Sequence, residues 1–211
     1  MFQECAFAKL NGSVNLNESR SGKGEPSRRN AFLRYPRALD SSHSLVDSCA
    51  VNFAELPHSK SCFVCGSRNP IGLNLRFETN GKILRTRFTL RPEHGGFINV
   101  IHGGVLATIL DEIMVWACAV QVHEFSYCAE MNVRYLAPGR PNVSIIGEAE
   151  MTENKRGRLF LASGELKYED GVTIATSTGK YMPVRGADLT PWLQDFEGTP
   201  EQLHNFLPNK F

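Results

Sequence analysis

The sequence has no excess of charge of either sign. Its 23 Lys and Arg stand against 22 Asp and Glu, a formal net charge of +1 over 211 residues. No basic stripe is visible, so nucleic acid is not expected as a partner. Long hydrophobic runs are also missing. The one apolar run, after Gly104, is broken by Asp111 and Glu112. It reads as too short and too charged to span a bilayer, and no membrane partner is expected. The opening MFQECAFAKLNG lacks a basic segment followed by a long apolar core, so no secretory signal is expected. A transit peptide would be poor in acids, yet this leader carries Glu4, Glu18, Glu25, Asp40 and Asp47. Six scattered cysteines do not make a disulfide framework in a chain this long. A reduced, cytoplasmic protein is the resulting expectation. Cys62 and Cys65 form a single CxxC with His58 before it, but no second CxxC or HxxxH follows. A structural zinc normally takes four ligands, so no metal is expected and the pair reads as reduced, packed thiols. No internal repeat is present.

What is there divides into three stretches. Residues 1–52 are rich in Ser, Asn, Arg and Gly without steady periodicity, and read as a disordered or loosely ordered leader. Order is expected over 53–183. Leu73–Phe77 alternates apolar and polar residues as a half-buried strand does, and Asn80-Gly81 is a hairpin signal. A second strand is expected over Ile83–Leu90, with Leu84, Thr86, Phe88 and Leu90 on one face. A loop over Pro92–Asn99 leads to a helix from about Gly103 to Val122. Further strands are expected at Ser126–Tyr135, Asn142–Glu153, Arg158–Glu169 and Val172–Met182. Two strands, one long helix and four strands argue for an antiparallel α+β domain. The helix is apolar all round, so something must surround it, and Ile109, Leu110, Met114 and Trp116 read as core. Residues 184–211 form a polar extension, with a short helix signalled by Thr199-Pro200-Glu201-Gln202.

The chemistry concentrates in IHGGVLATILDE. Two glycines open the helix, and Asp111 stands nine positions after His102. Bare N–H groups at a helix start attract negative charge. A carboxylate on an apolar helix is costly unless it has a task. Together they suit hydrolysis of an ester or thioester, with Gly104 N–H as oxyanion donor and Asp111 as nucleophile or general base. Gly104 and Asp111 share a helix face but lie roughly 10 Å apart along the axis. One thioester carbonyl cannot easily touch both, whereas two antiparallel helices from two subunits would bring them together. Glu112 is the competing acid, turned about 100° away. Its relation to the glycines favours Asp111, and pairing in a structural role is the alternative for either acid. His102 reads as a residue shaping the loop, with a general base as the less favoured role.

These residues resemble the hotdog-fold acyl-CoA thioesterases, specifically the PaaI-like branch. The resemblance rests on HGG with its acid, on Cys62-Phe63-Val64-Cys65-Gly66, on Asn69-Pro70-Ile71-Gly72-Leu73 and on Met131-Asn132-Val133-Arg134-Tyr135-Leu136-Ala137-Pro138, and it covers roughly 55–183. It implies a curved antiparallel sheet of five to six strands wrapped around one long central helix. It implies a homodimer with a continuous sheet, or a dimer of dimers, with active sites at the subunit interface. No cofactor or metal is implied, since CoA is part of the acyl-CoA substrate.

Cys128 stands where such proteins often carry a Ser or Thr that orients water, and a thiol is a weaker donor. Gly96 stands where some relatives carry Asn, so Asn99 is the candidate substitute. Gly103 joins Gly104 as a candidate substrate contact. Glu130 and Asn132 share the Cys128 strand face by period-two alternation, so either is a candidate for lining the site. Lys155, Arg156, Gly157 and Arg158, with Arg134 and Arg140, are candidates for clamping CoA phosphates, although a solvated hairpin tip fits equally. A non-catalytic acyl-CoA-binding protein on the same fold is the second reading. A hotdog dehydratase would need a His–Asp or His–Glu pair, for which no motif is found.

Overall fold

The computed structural model describes residues 52–208. The leader expected over 1–52 therefore lies, but for its last residue, outside the described residues. In chain order the elements are β1 (Ala54–Glu55), β2 (His58–Ser59), β3 (Glu78–Thr79), β4 (Ile83–Thr89), a 3-10 turn (Pro92–His94), β5 (Gly95–Phe97), β6 (Val100–Ile101), α1 (Gly103–Val122), β7 (Ser126–Tyr135), β8 (Ser144–Asn154), β9 (Phe160–Tyr168), β10 (Thr173–Pro183), α2 (Thr190–Asp195), β11 (Phe196–Glu197) and α3 (Pro200–Phe206). The main sheet has seven strands in the order β1-β3-β4-β8-β9-β10-β7, and every neighbouring pair is antiparallel. The five long strands all touch α1. This is the α+β arrangement of a sheet around one helix.

Local sequence explains both ends of α1. His102 is its N-cap, and its ring nitrogen accepts the Gly104 N–H. His123 ends the helix in the left-handed conformation at φ 54°, and its N–H bonds to Ala119 O. Ile109, Leu110, Ile113, Met114 and Cys118 are fully enclosed. Each large aliphatic side chain among them contributes roughly 2 kcal/mol by leaving water. By length and composition α1 is apolar enough to cross a membrane, contrary to the sequence expectation. Its apolarity is explained by enclosure within the fold.

The sheet covers only part of that helix. Part of the remainder is covered by the Cys62–Cys65 loop and by residues 196–207, which the sequence presents as a polar extension. Phe206 and Leu207 are buried, and Phe206 stacks on Trp116 at 4.6 Å between ring centroids. α3 carries the Thr199–Gln202 capping box, and His123 Nδ1 contacts Phe206 O at 2.9 Å.

One expected strand is absent. Leu73–Phe77 keeps its alternation, with Leu75 and Phe77 buried, but it is not a strand. Asn74 sits at φ 54°, which breaks an extended ladder. The N–H groups of Leu73 and Leu75 bond instead to Phe63 O and Val64 O in the CxxC loop. The loop expected over 92–99 contains the 3-10 turn and most of the β5–β6 hairpin.

Candidate functional site

Asp111 lies on the half-buried flank of α1 that faces β7 and β10. The buried Tyr181 hydroxyl donates to Asp111 Oδ1 at 3.1 Å. Cys128 on β7 also hydrogen-bonds Asp111; burial, then the charge of Asp111, pushes its thiol up to about 11. A thiol that keeps its proton serves as a donor to the carboxylate and not as a nucleophile. Burial, followed by the charge of Asp111, likewise raises Tyr181. Both groups hold Asp111 as an acceptor.

Glu112 points elsewhere. Its Oε1 accepts from Trp116 Nε1 at 2.9 Å and from the thiols of Cys62 at 3.3 Å and Cys65 at 3.6 Å. Burial, then the charge of Cys62, lifts its carboxyl to about 8. Hydrogen bonding with Cys65 lowers the Cys62 thiol from its ordinary value, and Cys65 rises correspondingly. The two adjacent acids thus serve separate surroundings, and Glu112 is not brought to the Asp111 side.

The helix start is less bare than the sequence suggests. Gly104 N–H already donates to His102 Nδ1 at 2.9 Å. That contact fixes the imidazole as an acceptor at Nδ1 and is the loop-shaping role expected of His102. The His102 N–H bonds to His94 O at 2.9 Å. Gly96 lies against His102: a Cβ there would stand 3.1 Å from the ring. Asn99 sits exposed at φ 60° in the β5–β6 turn. Gly103 O accepts the Tyr135 hydroxyl at 2.8 Å. Around this helix start lies a cleft of about 470 Å³ lined by Phe97, His102, Gly103, Leu106, Tyr135 and Leu136, among others. Phe97 and Ile98 are 82% and 92% exposed.

Period-two counting misplaces part of β7. Tyr181 pairs with Cys128 and Lys180 with Glu130, so Ala129 is an extra residue, a bulge. Beyond it the strand changes phase. Glu130 pairs with Lys180 at 2.7 Å, while Asn132 and Arg134 line a depression on the sheet face away from α1. None of these three shares the face of Cys128, and the expectation that Glu130 or Asn132 lines the Asp111 site is corrected. Met131 and Val133 pack toward the core instead.

The basic turn Lys155–Arg158 joins β8 to β9, with Arg156 and Gly157 in the left-handed region. Arg185 reaches it through a bond to Gly157 O. Through the pairs Phe160–Tyr181 and Tyr181–Cys128, this tip lies at the Asp111 end of the sheet. Arg134 is in register with Thr176, Glu165 and Glu148, six residues along β8 from Asn154. That is roughly 20 Å from the tip. Arg140, against the Tyr168 ring, is at the far end as well. The expected joint clamp does not assemble within one chain. Sequence reasoning missed Tyr181, Tyr135 and Arg185. Tyr181 alternates with exposed Lys180 and Met182, but nothing local ties it to Asp111 seventy positions away.

A family model described as the thioesterase superfamily matches residues 98–175, which span α1, β7, β8, β9 and the start of β10. The domain has the hotdog fold of that superfamily, as its sheet and central helix show. The chain is similar to a crystal structure of a thioesterase superfamily protein, with 21% identity, a TM-score of 0.53 and coverage of 57% of this chain. It spans only 59% of the length of that protein. The E. coli PaaI protein from the phenylacetic acid degradation operon is 18% identical, with a TM-score of 0.50, over 55% of this chain and 83% of its own. A further thioesterase superfamily structure is 23% identical, with a TM-score of 0.50, over 56% and 91%. No curated protein matches the chain.

Proposed function

We propose that the chain hydrolyses an acyl-CoA thioester to a free acid and CoA, in a site shared by two subunits. The observation that carries this reading is a half-buried carboxylate, Asp111, held by Tyr181 and Cys128 beside an open sheet edge. Among the described residues β7 pairs only with β10, so its other side is unpaired over ten residues. An exposed strand edge invites a second strand. Antiparallel pairing of two β7 edges about a two-fold axis sets the Tyr135 end of one chain beside the Cys128 end of the other. One subunit's Gly104 then approaches the other's Asp111, and the roughly 10 Å gap along a single helix ceases to matter. The exposed Phe97, Ile98 and Leu136 near the helix start fit a covered surface. The Lys155–Arg158 tip, with Arg185, supplies cations for the CoA phosphates at the Asp111 end.

In this reading Asp111 attacks the thioester carbonyl or draws a proton from water, and Gly104 N–H receives the developing oxyanion. His102 must turn aside or share that N–H. The capped amide is also the one observation favouring the second reading, a non-catalytic acyl-CoA-binding protein.

Subunit mixing tests the proposal. Asp111→Asn and Gly104→Pro, each inactive alone, are co-refolded in equal amounts with a panel of acyl-CoAs. Proline is tolerated in a first helical turn, where it removes the N–H. Random pairing of a composite site restores about a quarter of wild-type turnover, because half the dimers regain one of two sites. No recovery, with both variants folded and dimeric, overturns the shared site. Tight acyl-CoA binding without turnover by the wild type selects the second reading.

A further inference from the structure

The fold joins Cys62 and Cys65 to a carboxylate about fifty residues away. Three donor atoms, from Cys62, Cys65 and Glu112, lie within 4.8 Å of one another. We propose that these residues form a three-ligand site for a thiophilic divalent cation of the zinc class, with the fourth position open to a neighbouring cleft. This goes beyond the thioester reading and does not rest on it.

The loop is built to present two sulfurs together. Gly66 N–H bonds to Cys62 O at 3.0 Å and closes the CxxC turn. No other residue fits at Gly66, since a Cβ would stand 2.2 Å from Cys62 O. Val64 N–H is aimed at Cys62 Sγ from 3.2 Å. Glu112 approaches from α1 with its Oε1 at 3.3 Å and 3.6 Å from the two sulfurs. A tetrahedral zinc, with bonds of about 2.3 Å to sulfur and about 2.0 Å to oxygen, has S···O edges of roughly 3.5 Å. The carboxylate oxygen therefore already stands from each sulfur at the distance a zinc would set.

The surroundings fix the ligands as a metal site requires. Trp116 Nε1 orients the Glu112 carboxylate, and Arg76 Nη1 donates to Cys65 O at 3.0 Å. Two thiols alone would pack against apolar neighbours. A half-buried carboxyl group aimed at both thiols has a task other than catalysis. The nearby candidates for a fourth protein ligand are engaged elsewhere. His58 faces Glu197 at 3.6 Å, and Asp195 accepts the hydroxyls of Ser59 and Ser61. A cleft of about 570 Å³ lined by Cys62, Glu112, Ser61, Trp192 and Asp195, among others, gives water or another small ligand access to the open position.

The test uses the full-length chain, expressed in zinc-supplemented medium, desalted and assayed by plasma mass spectrometry. One zinc per chain is expected in the wild type and in Cys118→Ala, and none in Cys62→Ser with Cys65→Ser. Because the serine variants risk misfolding, stripped wild type is also titrated with Co²⁺. Thiolate-to-cobalt absorption that saturates at one equivalent is expected. At least tenfold weaker affinity is expected for Glu112→Gln, shown folded by circular dichroism. The proposal is overturned if wild type takes up neither metal, if metal content survives loss of both cysteines, or if freshly purified protein carries a Cys62–Cys65 disulfide. A thioesterase without zinc sinks this inference alone, and a zinc protein without thioesterase activity sinks only the functional reading.

Discussion

The Tyr181 hydroxyl donates to Asp111 across the interval between β10 and α1, at 3.1 Å to Oδ1. Tyr181 is fully buried and so held in one orientation. In the proposed reaction it is a positioning residue, acting on substrate only through the carboxylate. Tyr181→Phe is expected to lower kcat about tenfold with KM little changed. Asp111→Asn should lower kcat by about 100-fold or more, the scale of a lost general base or nucleophile. Steady-state kinetics on one acyl-CoA separates the two. Equal KM and kcat for Tyr181→Phe and wild type would leave the tyrosine with a packing role only.

His102 caps α1 through Gly104 N–H. Its replacement by Ala is expected to cost about 1 kcal/mol of stability, as loss of a side-chain cap does. Urea unfolding measures this. Turnover should survive, because the substrate oxyanion can then take the freed N–H without displacing a ring. Complete loss of turnover in a stable His102→Ala protein would make the imidazole a catalytic group.

Much of this was legible in the sequence, and the exceptions have physical causes. The helix from Gly103 to Val122 and the strand Ser126–Tyr135 follow from local pattern, because periodicity and caps are local properties. Leu73–Phe77 kept its alternation while Asn74 turned the backbone out of a strand. Asn132 was assigned to the wrong face because a bulge leaves no mark in composition. The meeting of Glu112 with Cys62 and Cys65, and the stacking of Phe206 on Trp116, join distant parts of the chain that no short window samples. In the sequence, position alone favours the acid at 111 over that at 112; in the fold Glu112 bonds to Trp116 and the two thiols.

Trp116 and Phe206 define how residues 196–207 seal α1. Phe206 is 3% exposed and also lies near Phe125 and Phe196. Phe206→Ala is expected to destabilise the protein by about 3 kcal/mol, the usual range for a buried aromatic. Trp116 fluorescence should shift to the red as water reaches the indole. Unchanged emission and unchanged stability would mean that the C-terminal helix does not cover α1 in solution.

Glu148 sits between Lys167 at 2.6 Å and Arg85 at 2.8 Å on the outer face of the sheet. Burial alone would raise its carboxyl, but the bonds from Lys167 and Arg85 outweigh it and hold the group below its ordinary 4.5. A depressed carboxylate stabilises the fold above the unfolded value and loses that contribution as pH falls through the folded one. Glu148→Gln should therefore cost about 1 kcal/mol at pH 7, a modest figure for a partly exposed pair. The gap from wild type should close as pH falls below the ordinary carboxyl value of 4.5. Denaturant melts at pH 3, 5 and 7 check the sign, and a gap that widens on acidification would contradict it.

A strand with a two-residue repeat has a fixed parity, and only an insertion can reverse it midway. Ala129 is that insertion. It lets one continuous ribbon offer a thiol to the helix at one end, then turn its polar side chains outward and its methionine and valine inward along the rest. Pressing Ala129 into a regular ladder would exchange wet and dry sides over half the strand, at the very edge where a second subunit is proposed to join.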